Sequence, residues 1–143
     1  MKSPIIGYRI SGEDVLFILK KLTNKNFKNN HSLLKLVDLY NYDGTILDKC
    51  SVVYFKSPKS FTGEDVCEIF IHGSPLIASQ LEKTLKSYKI PGFRIAKNGE
   101  FSYRSVLNNK NSLKQAKAVN SIINNESFSL LEYNKKILFE GDK

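Results

Sequence analysis

The chain has 143 residues, 41% of them hydrophobic and 25% charged, which sets the size of one ordinary domain and excludes wholesale disorder. No apolar run approaches the length of a membrane span and no charged-then-apolar leader opens the chain, so a membrane or secreted protein is disfavoured and a cytoplasmic one is expected. The net charge of +8 admits an anionic partner, but 19 of the 22 basic residues are Lys and only Arg9, Arg94 and Arg104 offer the planar fork that reads phosphates and base edges. Both a basic RNA-contacting surface and a simple lysine-rich composition fit that balance.

Ile5 to Ile10 is short and apolar and reads as a strand. Ser11, with Asp14 three residues later, has the form of a capping box, and Val15, Ile18, Leu19 and Leu22 follow at helical spacing. The polar run Asn24 to Asn30 reads as a surface loop. Leu33 to Tyr42 and Ile46 to Phe55 are rich in strand formers, and Asp43-Gly44 between them signals a hairpin. Ser57 to Asp65 is a loop, and Val66 to Ile71 a strand that carries Glu68 among apolar neighbours. Ser74-Pro75 starts a helix whose buried stripe is Ile77, Leu81, Leu85 and Tyr88. Pro91-Gly92 breaks it, Phe93 to Ala96 reads as a short strand, and Glu100 to Leu107 as a short helix. Ser112 can cap another helix, and Phe128 to Phe139 is a last amphipathic stretch. This order predicts an α+β domain, a small mixed sheet with flanking helices and a C-terminal helical tail.

Several chemistries are missing from the pattern. No GxxxxGKS/T is present, so GTP hydrolysis, with the magnesium and potassium it uses, is not expected of this chain alone. No GxGxxG follows a strand and no GxSxG elbow occurs. Cys50, Cys67, His31 and His72 are scattered without metal-ligand spacing, and the two cysteines read as small buried apolar groups. Ser60, Thr62, Glu64 and Asp65 read as loop residues that satisfy backbone groups rather than as an acid–base cluster. His72 reads as a satisfied histidine at a strand end rather than a proton shuttle.

A set of distinctive stretches remains: Arg9-Ile-Ser-Gly12, Ser60-Phe-Thr-Gly-Glu-Asp-Val66 followed by Glu68, His72-Gly73, Gly99-Glu-Phe101, Arg104 and Leu107-Asn-Asn-Lys110. In order and spacing, over about Arg9 to Ile123, they resemble the N-terminal domain of the tRNA-modification GTPases of the MnmE/TrmE family. The departures are Asn98 for a proline before the Gly-Glu-Phe motif, and Ser112, Lys117 and Ser121 where the family carries acids.

The resemblance implies residues 1–110 as a folate-binding and dimerisation domain, similar to the folate-binding part of the glycine-cleavage T protein. Residues 111–143 would begin a truncated helical segment, with no GTPase domain. It implies 5-formyltetrahydrofolate or another tetrahydrofolate as cofactor, bound by Arg9, Glu68 and Lys110, in a homodimer. An FAD-dependent MnmG (GidA) partner and tRNA are implied too, for a family that builds a carboxymethylaminomethyl group on the wobble uridine. The alternatives are the RNA-contacting module and a remnant that keeps only the fold.

The residue chemistry agrees with that carry-over. An ionised carboxylate is acceptor-only with two oxygens, so Glu68 can take the neighbouring N–H and amino donors of a pterin edge. The other reading of Glu68 is a residue on the polar side of a half-exposed sheet. No protein partner for its carboxylate is identifiable from the sequence, so replacing it is expected to leave the fold's stability little changed.

Overall fold

The computed structural model describes residues 4–108 of the chain. Their elements run β1 (Ile5–Ser11), α1 (Val15–Thr23), β2 (Lys35–Tyr40), β3 (Ile46–Phe55), β4 (Val66–His72), α2 (Pro75–Ser87) and α3 (Glu100–Leu107). The expected helices from Ser112 and over Phe128 to Phe139 lie outside the described residues, as does Lys110.

The four strands form one sheet in the order β1-β4-β3-β2. All three ladders are antiparallel, which corrects the expectation of a mixed sheet. The cause lies in the connection through α1. It carries the chain from one edge of the sheet to the other, and β4 and β3 fill the space between, so no two strands of like direction become neighbours. One isolated parallel bridge, His31 to Tyr54, lies outside the ladders.

Strand alternation sends one set of side chains to each face. Tyr8 and Ile10 on β1, Cys67, Ile69 and Ile71 on β4, Cys50, Val52 and Tyr54 on β3, and Val37 and Leu39 on β2 all enter one core. The register agrees, since Tyr8 stands opposite Ile69, Ile69 opposite Val52, and Val37 opposite Cys50. Val15, Ile18, Leu19 and Leu22 of α1 and Ala78, Leu81 and Leu85 of α2 close that face. Burial pushes the Cys50 thiol up to about 12 and the Cys67 thiol higher still, with the neighbouring acids Asp48 and Glu68 adding to the effect, so both behave as buried apolar groups.

Local signals mostly hold. Ser74 caps α2, its hydroxyl accepting from the Ile77 amide at 3.4 Å with Pro75 in the first turn. Ser11 does not cap α1, because it is still the last residue of β1. Asp14 stands at the cap without a side-chain bond, and the Ser11 hydroxyl turns to the 57–65 loop. Phe27 is buried at 1% exposure, so the polar run read as a surface loop contributes a core side chain. Phe93 to Ala96 forms no strand. The neighbouring Lys97 amide bonds to a side-chain carboxylate, Glu100, at 2.8 Å, and Ala96 buries against Phe101 instead. No helix among the described residues is long and apolar enough to cross a membrane.

Candidate functional site

Arg9 and Glu68 fall on the sheet face turned away from the α1–α2 core. They stand directly opposite each other in the β1–β4 register. Arg9 Nε donates to Glu68 Oε2 at 2.9 Å, and each side chain is 17% exposed. The structure therefore brings together two of the three residues singled out from the sequence and corrects one expectation: Glu68 has a protein partner. That partner was hidden because the pair is 59 residues apart, and cross-strand register between non-adjacent segments is not written in local spacing.

Aromatic rings flank the pair. The Arg9 guanidinium carbon lies 5.0 Å from the centroid of Phe61 and 5.5 Å from that of Phe101, both within reach of a cation–π contact. Phe61 sits on the Ser60–Val66 stretch and is 46% exposed, whereas Phe101 on α3 is buried. Glu68 keeps accepting capacity. A carboxylate has about four lone-pair sites, Arg9 uses one on Oε2, and Oε1 has no hydrogen-bond partner among the described residues.

The 57–65 loop is held by its own polar groups, as expected of a structural segment. Ser11 Oγ lies 2.7 Å from Thr62 Oγ1 and donates to Glu64 Oε1 at 2.6 Å. The Ser60 hydroxyl bonds to the Glu64 carbonyl and accepts from the Gly63 amide at 3.0 Å. Asp65 accepts from the Tyr54 hydroxyl at 3.1 Å and the Ser57 amide at 2.8 Å. Gly63 has φ +84°, a left-handed conformation costly for any residue with a Cβ, which accounts for a glycine at the centre of the stretch.

Sequence reasoning had given no role to Arg94, Glu100 and Arg104, and the structure makes them one network. Arg94 grips Glu100 in a fork, Nη1 to Oε1 at 2.7 Å and Nη2 to Oε2 at 2.6 Å. Arg104 donates from Nε to Glu100 Oε2 at 3.0 Å, and from Nη1 to Glu64 Oε1 at 2.9 Å and to the Ser11 carbonyl at 3.2 Å. Burial pushes the Glu100 carboxyl up. The Arg94 and Lys97 hydrogen bonds and the two guanidinium charges outweigh that and bring it down to about 2. Gly99, at φ +79°, makes the turn into α3. A pocket of about 60 Å³ opens along the network, lined in part by Ile10, Phe93, Arg94 and Phe101.

At the far end of β4, His72 is exposed. Its Nδ1 lies 2.9 Å from Asp48 Oδ1, and the same carboxylate accepts from the His72 backbone amide at 3.0 Å. This is a satisfied strand end, as expected.

Fold and site together define a small α+β domain whose second sheet face holds a paired cation and anion beside two aromatic rings. Residues 1–110 match the family described as "GTP-binding protein TrmE N-terminus". The chain is 44% identical to the tRNA modification GTPase MnmE of Helicobacter pylori strain HPAG1 over 131 residues, 91% of this chain and 27% of that protein. It is 48% identical to the protein of that name from Francisella tularensis subsp. holarctica strain OSU18 over 119 residues, 83% of this chain and 25% of the relative. The chain belongs to the TrmE N-terminus family, and it spans about a quarter of the length of the curated relatives it matches.

Proposed function

We propose that this chain binds a reduced folate of the 5-formyltetrahydrofolate type at Arg9 and Glu68, as the folate-binding and self-associating part of a tRNA-modification GTPase. The observation that carries this reading is the state of Glu68. It is partly buried between apolar neighbours on β4, already oriented by Arg9, and Oε1 has no hydrogen-bond partner among the described residues. That geometry suits a ligand edge with two adjacent N–H donors, which the pterin supplies. The half-exposed ring of Phe61 suits a flat heterocycle beside the pair, with Phe101 buried behind it against Arg9. Lys110 is the third proposed contact. A fold like that of the glycine-cleavage T protein's folate-binding part, a homodimer, and an FAD-dependent MnmG partner acting on the tRNA wobble uridine belong to the same reading.

The test is a calorimetric titration of 5-formyltetrahydrofolate into the wild type and into Glu68→Gln. Gln keeps the volume but replaces an acceptor oxygen with a donor facing the pterin donors. Losing a charge-assisted bond of roughly 1.5–3 kcal/mol lowers affinity about 10- to 150-fold. Equal affinity for the two proteins contradicts the role of Glu68, and no wild-type binding at millimolar ligand contradicts the folate reading.

A basic RNA-contacting module is the second reading, and one observation favours it. Residues 15–36 hold Lys20, Lys21, Lys25, Lys28 and Lys35 and no acid. Lys21 Nζ lies 5.9 Å from the Phe17 ring and 5.7 Å from that of Tyr88. Lysines beside an exposed Phe17 and a half-buried Tyr88 suit a nucleic-acid strand. Salt-dependent binding of tRNA that is lost in Lys21→Glu supports this reading, and binding unaffected by that change opposes it.

A further inference from the structure

The short helix α3 has an unusual attachment. Of its eight residues only Glu100, Phe101 and Ser105 are buried, and one of those three is a carboxylate. An apolar stripe does not hold it to the sheet. Arg94 and Arg104 do, by closing on Glu100 from two sides, and Arg104 then ties the helix to the Ser11 carbonyl at the end of β1 and to Glu64 in the 57–65 loop. The next residue in the chain, Phe101, is the ring that lies against Arg9, and Phe61, the ring on its other contact, sits in the loop that Glu64 belongs to. Both aromatic neighbours of Arg9 therefore hang on segments that Arg104 joins.

We infer that Arg104, acting through Glu100 and Glu64, is a positioning residue for the Arg9–Glu68 pair: it fixes the Phe61 and Phe101 rings against the Arg9 guanidinium and so fixes which way Arg9 presents Glu68. Planarity decides why Arg stands here. One guanidinium reaches Glu100, Glu64 and a backbone carbonyl at once because its five donors radiate in a fixed fork. A lysine ammonium is a point charge on a flexible stem and cannot hold three acceptors in that geometry. In its ligand arm the inference rests on the folate reading; in its first arm it does not.

The first arm is the side-chain Nε–H signal of Arg9 in nitrogen-15 NMR spectra, readily assigned because the chain has three arginines. In the wild type the Nε–H that bonds to Glu68 at 2.9 Å is expected to be shifted and slow to exchange. Arg104→Met and Arg104→Lys are compared with Asp48→Asn, which removes a carboxylate hydrogen-bonded at the other end of β4 and serves as a control for general destabilisation. The expected result is faster Arg9 Nε–H exchange in both Arg104 variants and an unchanged signal in Asp48→Asn. Retained protection in a folded Arg104→Met overturns the inference. If Arg104→Met does not fold, the same reading is taken on Arg104→Lys, which keeps the charge.

The second arm is titration with 5-formyltetrahydrofolate, where Arg104→Lys is expected to weaken binding roughly 3- to 30-fold, the range seen for residues that act through others. Wild-type affinity in Arg104→Lys alongside a loosened Arg9 overturns the coupling to the ligand. A wild type that does not bind removes the folate reading and leaves the Arg9 signal to decide the positioning role.

Discussion

The two faces of the sheet are built by different physics. On one face Tyr8, Ile10, Ile69, Ile71, Leu81 and Leu85 are all at or below 2% exposure, and helices α1 and α2 are held by apolar burial. On the other, a cross-strand ion pair, two rings and an arginine network hold α3 and the 57–65 loop. Burial is non-directional and roughly proportional to area, so the first face gives stability without fixing any one orientation. Charge-assisted hydrogen bonds are directional and short, so the second face gives placement. A site that must meet a particular donor pattern belongs on the second.

The comparison breaks most sharply at Leu81. Leu81→Ala removes a fully buried side chain from the α2 interface and is expected to cost about 2–5 kcal/mol of unfolding free energy. Urea denaturation measures it, and the Arg9 side-chain signal is expected to stay in place while the protein remains folded.

Acid acts on the other face. The Glu100 carboxyl is held at about 2 in the folded protein against an ordinary 4.5, so folding is favoured by its ionised form. That contribution is complete above about 4.5 and is lost as the pH falls through the window down to about 2. Amide exchange across residues 99–108 is expected to rise in that window before exchange in β3 and β4 does. In Glu100→Gln the part of that rise that Glu100 carries is expected to disappear. Simultaneous loss of both faces in the wild type would show that the network does not unfold as a unit of its own.

The smallest expected effect is the stability change in Glu68→Gln. Because the amide oxygen of Gln can still accept from Arg9 Nε, the loss of the charge alone is expected to cost about 1 kcal/mol. Thermal melting measures this, and a much larger loss would assign Glu68 to the structural frame rather than to a ligand.

Much of the first face was legible in the sequence. The 3.6-residue spacing of Val15, Ile18, Leu19 and Leu22, the Asp43-Gly44 turn and the Ser74-Pro75 start all correspond to elements seen. These signals are local, and local signals survive folding where burial supports them. What failed was set by distant partners. The all-antiparallel order depends on β4 inserting between β1 and β3, and Ser11 leaves the helix cap for Thr62 and Glu64 across the sheet. The segment before α3 forms no strand, and the Lys97 amide that follows it bonds to Glu100, a carboxylate that had no visible role. One clue to the second face was present in composition. In a chain with 19 lysines the three arginines stand out, and all three pair with carboxylates: Arg9 with Glu68, Arg94 with Glu100, Arg104 with Glu64 and Glu100. A scarce planar fork marks the positions where geometry, and not charge alone, is needed.

The most direct measurement of the central claim is the side-chain carboxyl carbon-13 signal of Glu68 during a titration of the wild type with 5-formyltetrahydrofolate. Hydrogen bonding of the pterin donors to the carboxylate predicts a saturable shift at Glu68, accompanied by shifts at the Phe61 and Phe101 amides, with the Asp48 carboxyl at the other end of β4 unmoved. Saturable binding that leaves the Glu68 carboxyl where it was would contradict the assignment of the site.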